Sequence, residues 1–156
     1  MEKIASFTVD HLHLKKGLYL SRQDKQGDVT VSTFDLRFTA PNREPVIDTP
    51  AVHTIEHLGA TFLRNGARKE EIVYFGPMGC RTGFYLVMFG DLKSEDVLPL
   101  VLQTCDFILN FEGEIPGAKA EECGNYLDQN LSEAKYYTRI YRDALISEKN
   151  LRYPQA

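Results

Sequence analysis

Residues 49–66 leave the chain little choice of local structure. Val52, Ile55, Leu58, Phe62 and Leu63 recur at the spacing of one helix face. Thr49 followed by Pro50 reads as an N-cap with proline in the first helical position, and Asn65-Gly66 reads as a stop. An amphipathic helix of this kind must be covered by other elements. Residues 18–22 and 29–38 read as two strands joined by a turn at Lys25-Gln26-Gly27-Asp28. In the second strand Phe34, Leu36 and Phe38 share one face, while Asp35 and Arg37 share the other. Residues 72–75 and 83–89 read as further strands joined by the segment 76–82. A second helix starts near Ser94, with Glu95 and Asp96 at the positive end of its dipole and Pro99 awkwardly early. A third helix follows Asn130, with Glu133 as its capping-box partner. Strands and helices in mixed order with hairpin-length connections imply an α+β fold. Its largely antiparallel sheet packs against the helices in one domain, residues 1–156.

Composition fits that expectation. With 156 residues, 43% hydrophobic and 26% charged, the chain is neither disordered nor a disulfide scaffold. Its 18 basic and 22 acidic residues give a net charge of −4, which argues against nucleic acid or an anionic membrane as partner. Residues 84–89 form a strand-sized apolar block, far short of a membrane span. Residues 1–6 lack the apolar core of a signal peptide, and three cysteines, an odd number, suit a reducing compartment. A cytoplasmic protein is expected.

The chemistry concentrates in His53-Thr54-Ile55-Glu56-His57. At about 100° per residue, His57 lies about 40° from His53 and Glu56 about 60° to the other side. All three project from one helix face, beside the arc that buries the helix. Two imidazoles one turn apart can bind one metal ion, and the carboxylate between them can move protons. This is the H-x-x-E-H order, the reverse of H-E-x-x-H. Such a site needs a third ligand; Cys123 and the acids Glu122 and Glu133 are the candidates. Gly124 permits a tight backbone approach beside Cys123. Cys80, in Pro77-Met78-Gly79-Cys80-Arg81-Thr82-Gly83, sits on a constrained loop beside Arg81 and is a candidate for proton transfer. Cys105 falls in the helical stripe of Leu98, Val101, Leu102 and Leu109 and belongs to the core. Ser6, His11 and His13 show no decisive pattern. Asp35 and Arg37 read first as a solvated sheet face and second as a polar recognition pair.

Taken together these motifs resemble the S-ribosylhomocysteine lyase, or LuxS, family. The matching segments are the Ser6-Phe7 to Asp10-His11 spacing, Phe34-Asp35-Leu36-Arg37-Phe38, Pro41-Asn42, the H-x-x-E-H helix, the segment 77–85 and Glu122-Cys123-Gly124. They run in the family's order from residue 2 to residue 124. The resemblance implies a homodimer of α+β subunits with one Fe(II) per subunit, for which Zn or Co can substitute. By position His53, His57 and Cys123 would be the metal ligands and Glu56 and Cys80 the acid–base pair. Ser6, His11 and Arg37 would hold substrate from across the subunit boundary. Gly76 departs from the serine of many relatives, which removes one substrate contact.

The implied reaction converts S-ribosyl-L-homocysteine into L-homocysteine and 4,5-dihydroxy-2,3-pentanedione, an autoinducer precursor. A thioether leaves poorly from an unactivated carbon. The sugar carbonyl must therefore migrate to C3 before thiolate departs from C5 by β-elimination. Two rivals remain. A small H-x-x-E-H metallopeptidase would favour an acidic third ligand and leave Cys80 without a task. A non-catalytic metal-binding dimer module would hold metal without turnover.

Overall fold

A computed structural model describes residues 1–155. The first hairpin pairs β1 (Gly17–Gln26) with β2 (Val29–Arg37), turning through Gly27-Asp28 alone, with Gly27 at φ +60°. β2 starts at Val29 as expected, whereas β1 runs past the expected Arg22 into the expected turn, because the pairing holds to Gln26↔Val29. β3 (Ile72–Pro77) and β4 (Gly83–Phe89) complete an all-antiparallel sheet in the order β1-β2-β4-β3.

Three helices cover one face: α1 (Thr49–Asn65), α2 (Ser94–Asn110) and α3 (Leu131–Ser147). Phe34 and Leu36 of β2 and Phe84, Leu86 and Met88 of β4 point into the shared core with Ile55, Leu58, Val101, Ile108 and Leu145. Cys105 is buried among them, as expected. Helix α1 lies tight on β3 at Gly59, where a Cβ would come within 2.3 Å of the Phe75 ring.

Helix starts differ from expectation in one place. Val52 N–H donates to the Asp48 carbonyl at 2.9 Å, so Asp48 rather than Thr49 is the N-cap and Pro50 is the second helical residue. At α3 the Asn130 side chain accepts from Glu133 N–H at 3.0 Å, but the expected capping box is half made, because Asn130 N–H donates to Thr54 Oγ1 rather than to the Glu133 side chain. Pro99 does not interrupt α2; it lies on the helix's exposed side.

The sheet's other face carries the main departure. Tyr19, Asp35 and Tyr85 sit opposite one another across β1, β2 and β4, pointing away from the helices. Asp35 and Arg37 are 1% and 3% exposed, so this is no solvated sheet face. Tyr153, near the C-terminus, stacks on Tyr19 with ring centroids 4.7 Å apart and donates to Asp35 Oδ2 at 2.8 Å. A local alternation pattern cannot reveal such a cover, since it comes from a distant segment. Among the described residues no helix is long and apolar enough to cross a membrane.

Candidate functional site

Helix α1 presents His53, Glu56 and His57 half-buried on the side opposite its packed stripe. The two imidazole rings stand edge to face, 4.5 Å apart. A loop between α2 and α3 brings Cys123 onto them, with Sγ 3.4 Å from His53 Nε2. Donor atoms of His53, His57 and Cys123 all lie within 4.8 Å of one another, the one such triad among the described residues. Neither Glu122, which is exposed, nor Glu133 belongs to it, so the open choice of third ligand falls on the thiol.

Backbone carbonyls prepare the two histidines. His53 Nδ1 lies 2.8 Å from the Asp128 carbonyl and His57 Nδ1 lies 2.7 Å from the Pro116 carbonyl. A carbonyl only accepts, so a proton on each Nδ1 satisfies both contacts and leaves each Nε2 as the acceptor nitrogen, that of His53 facing the Cys123 sulfur. That is the tautomer a metal-binding imidazole needs, with its ring direction fixed by the outer hydrogen bond. An N₂S donor set of this kind fits a borderline divalent ion such as Fe(II) or zinc.

Two further features pin the loop. Thr54, a variable position in the motif, is fully buried; its hydroxyl donates to Gln129 Oε1 at 2.7 Å and accepts from Asn130 N–H at 2.9 Å. Gly117, at φ +74°, brings the chain so close to His57 that a Cβ would stand 3.0 Å from Nδ1. Gly124, expected to allow a close approach, has nothing within 4 Å of its Cβ position. The close approach belongs to Gly117, whose neighbour supplies the carbonyl to His57.

The remaining candidates gather elsewhere. Ser6, His11, Arg37 and Cys80 line a cavity of about 360 Å³ together with Asp35, Tyr85 and Tyr153. Neither the His53–His57–Cys123 triad nor Glu56 lines it. Asp35 and Arg37 place its floor on the sheet face away from the helices, whereas the triad rides on a helix. Arg37 donates through Nε and Nη2 to both Asp35 oxygens, at 3.1 and 2.6 Å, and through Nη1 to Thr82 Oγ1 at 2.7 Å. Burial works against the guanidinium charge, but the Asp35 charge and hydrogen bonds hold its pKa above the ordinary value. Burial first, and then the Asp35 charge, raise the Tyr153 hydroxyl well above the ordinary tyrosine range.

Cys80 is exposed at the cavity rim, with Sγ 3.1 Å from Thr82 Oγ1. The expected neighbour Arg81 turns elsewhere: it adopts φ +60° and donates to the Ile47 carbonyl. The positive φ of this loop thus falls on Arg81 and on neither flanking glycine. Thr82 and Tyr153 are cavity residues that sequence reasoning missed, whereas Asp35 was read with Arg37 as a polar recognition pair only second to a solvated face. At position 76 a Cβ would fall 2.0 Å from the Tyr74 hydroxyl, so the glycine leaves that space to the Tyr74 side chain.

Comparison with known proteins agrees with this arrangement. The family model described as S-Ribosylhomocysteinase (LuxS) matches residues 4–152. A protein of Clostridium acetobutylicum named S-ribosylhomocysteine lyase is 60% identical, the match covering 99% of this chain and 100% of the relative. Relatives of the same name from Finegoldia magna and Borreliella burgdorferi are 57% and 54% identical, with the same coverage.

Proposed function

The chain belongs to the S-ribosylhomocysteinase (LuxS) family, and from that premise we propose how it acts. It is a carbon–sulfur lyase that cleaves S-ribosylhomocysteine. Residues 1–156 form its single lyase domain. The observation that carries the reading is the converged His53–His57–Cys123 triad, with each Nδ1 on a backbone carbonyl and Glu56 on the same helix face.

His53, His57 and Cys123 would hold one Fe(II) per subunit, with Zn or Co as substitutes. Such an ion supplies Lewis-acid stabilisation of developing oxyanions. The chain's own residues carry the protons. Glu56 and Cys80 exchange protons with substrate carbon and oxygen as the carbonyl moves from C1 through C2 to C3. With the ketone at C3, one of the pair removes the acidified C4 proton. The C4 electron pair then forms the C4–C5 double bond as the C5–S bond breaks and homocysteine leaves as thiolate. The thiolate takes up the proton removed from C4, and the C4 enol ketonises by losing its hydroxyl proton and gaining one at C5. Substrate thus divides into L-homocysteine and 4,5-dihydroxy-2,3-pentanedione with no atom added and no external oxidant.

Ser6, His11 and Arg37 hold the substrate. They share their cavity with Cys80, while Glu56 stands beside the triad. This division within one chain supports a homodimer in which the cavity of one subunit faces the triad of its partner. The active unit is then a cytoplasmic dimer, and its product is available as an autoinducer precursor. A metallopeptidase finds no support here, since the third donor is a thiol and the Cys80 cavity would have no task.

The test is to offer S-ribosylhomocysteine to anaerobically purified protein and assay the thiol released. Stoichiometric thiol with measurable turnover is expected. Metal-loaded protein that releases none would overturn the reading.

A further inference from the structure

We propose that Thr82 is a positioning residue for this reaction: its hydroxyl accepts from Arg37 and meets the Cys80 sulfur, setting the proton-transferring thiol and the substrate clamp as one unit. The proposal rests on the assignment of Cys80 to proton transfer. Thr82 is 5% exposed, and its Oγ1 lies 2.7 Å from Arg37 Nη1 and 3.1 Å from Cys80 Sγ. A guanidinium only donates, so Oγ1 is the acceptor in that pair. The hydroxyl proton has no other acceptor among the described residues, which leaves it for sulfur. A hydroxyl has one proton and a second lone pair. It can donate to a thiolate and, after rotation, accept from a thiol, serving both states that an acid–base residue must alternate between. Donation from the guanidinium polarises the hydroxyl and strengthens its bond to the thiolate.

The anchor beneath is rigid. Arg37 is held by both Asp35 oxygens, Asp35 also accepts from Tyr153, and Tyr153 is stacked on Tyr19. Three of the five guanidinium N–H groups are used in these contacts. Two remain for substrate. A substrate group that pulls on Arg37 therefore acts on Thr82 and through it on Cys80.

The experiment compares Thr82→Val and Thr82→Ser with wild type in metal-loaded protein. Valine keeps the shape and the backbone carbonyl that accepts from Phe38 and Thr39. Thr82→Ala serves if valine does not fold. Iodoacetamide alkylation of the Cys80 peptide, followed by mass spectrometry at neutral pH, reads the thiolate without any substrate. Thr82→Val should slow it roughly tenfold, the worth of one hydrogen bond to a charged group. It should lower kcat by a similar factor with KM nearly unchanged, and Thr82→Ser should restore both. Wild-type alkylation in Thr82→Val, or failure of serine to restore it, would overturn the proposal. A wild-type protein that alkylates normally but releases no thiol would instead overturn the functional reading, and the alkylation contrast would still decide the role of Thr82.

Discussion

Glu56 and Cys80 lie outside the His53–His57–Cys123 group, and the proposed function gives them the proton transfers. Glu56 makes no hydrogen bond or ion pair among the described residues, and Cys80 makes one contact, to Thr82. Cys80→Ala and Glu56→Gln should therefore keep metal content and fold while losing turnover by about 10²–10⁴-fold, the usual contribution of a general acid or base. Metal analysis beside a thiol-release assay checks this; near-wild-type turnover in Cys80→Ala would reduce it to a loop residue. The two other thiols separate in the same measurement. Cys123→Ala should lose most of the bound metal, whereas Cys105→Ala, buried in the core, should keep it. The H-x-x-E-H face was legible because helical period alone fixes it. The outer hydrogen bonds of both histidines were not, because their acceptors are backbone carbonyls of Asp128 and Pro116, which any residue possesses.

Helix α1 provides two ligands, but the loop before α3 decides whether they converge with the third. Gly117 is the point where that loop touches His57, so Gly117→Ala adds a Cβ in a left-handed conformation 3.0 Å from Nδ1. Disturbing the partner of a ligating histidine typically costs about 10–100-fold in metal affinity, and that loss is expected here. Gly124→Ala, with open space around it, should bind metal as wild type does. Competition with a chromophoric chelator checks both, and equal affinities would refute the role given to Gly117. The elements were legible from period and punctuation: each of the four strands and three helices was expected, though β1 runs further than its alternation suggested and α1 is capped one residue earlier. Their long-range contacts were not. Asp35 and Arg37 looked solvent-facing because nothing local tells that Tyr153, 118 residues away, covers them. Asp48 displaced Thr49 as the cap because helix entry is settled by the Val52–Asp48 bond, and both residues are acceptable cap types.

The folded molecule hides several weak acids that water would otherwise ionise. Burial pushes the Cys105 thiol up to about 12 and Tyr19 up to about 12, and it holds Tyr141 and Tyr153 well above the ordinary tyrosine range. Their ordinary values are 9.0 for the thiol and 10.0 for tyrosine. Above pH 9 the unfolded chain therefore gives up protons that the native chain keeps. The stability from these groups is complete below about pH 9 and is lost as pH rises toward 12. Denaturant midpoints recorded from neutral to alkaline pH should fall through that window; a flat profile would contradict the burial described. On the same scale, one chain holds the Cys80 cavity on one side of its sheet, while His53, Glu56 and His57 ride on a helix of the other side with Cys123 on a loop against them. The central claim is that two chains are needed to complete one site. Its most direct test mixes inactive Cys80→Ala chains with inactive Glu56→Gln chains after subunit exchange has been verified by native mass spectrometry. In a two-fold dimer the hybrid gathers both faults in one site and leaves the other intact, so about a quarter of wild-type turnover per chain should return. Verified hybrids that release thiol no faster than either parent would contradict the shared site.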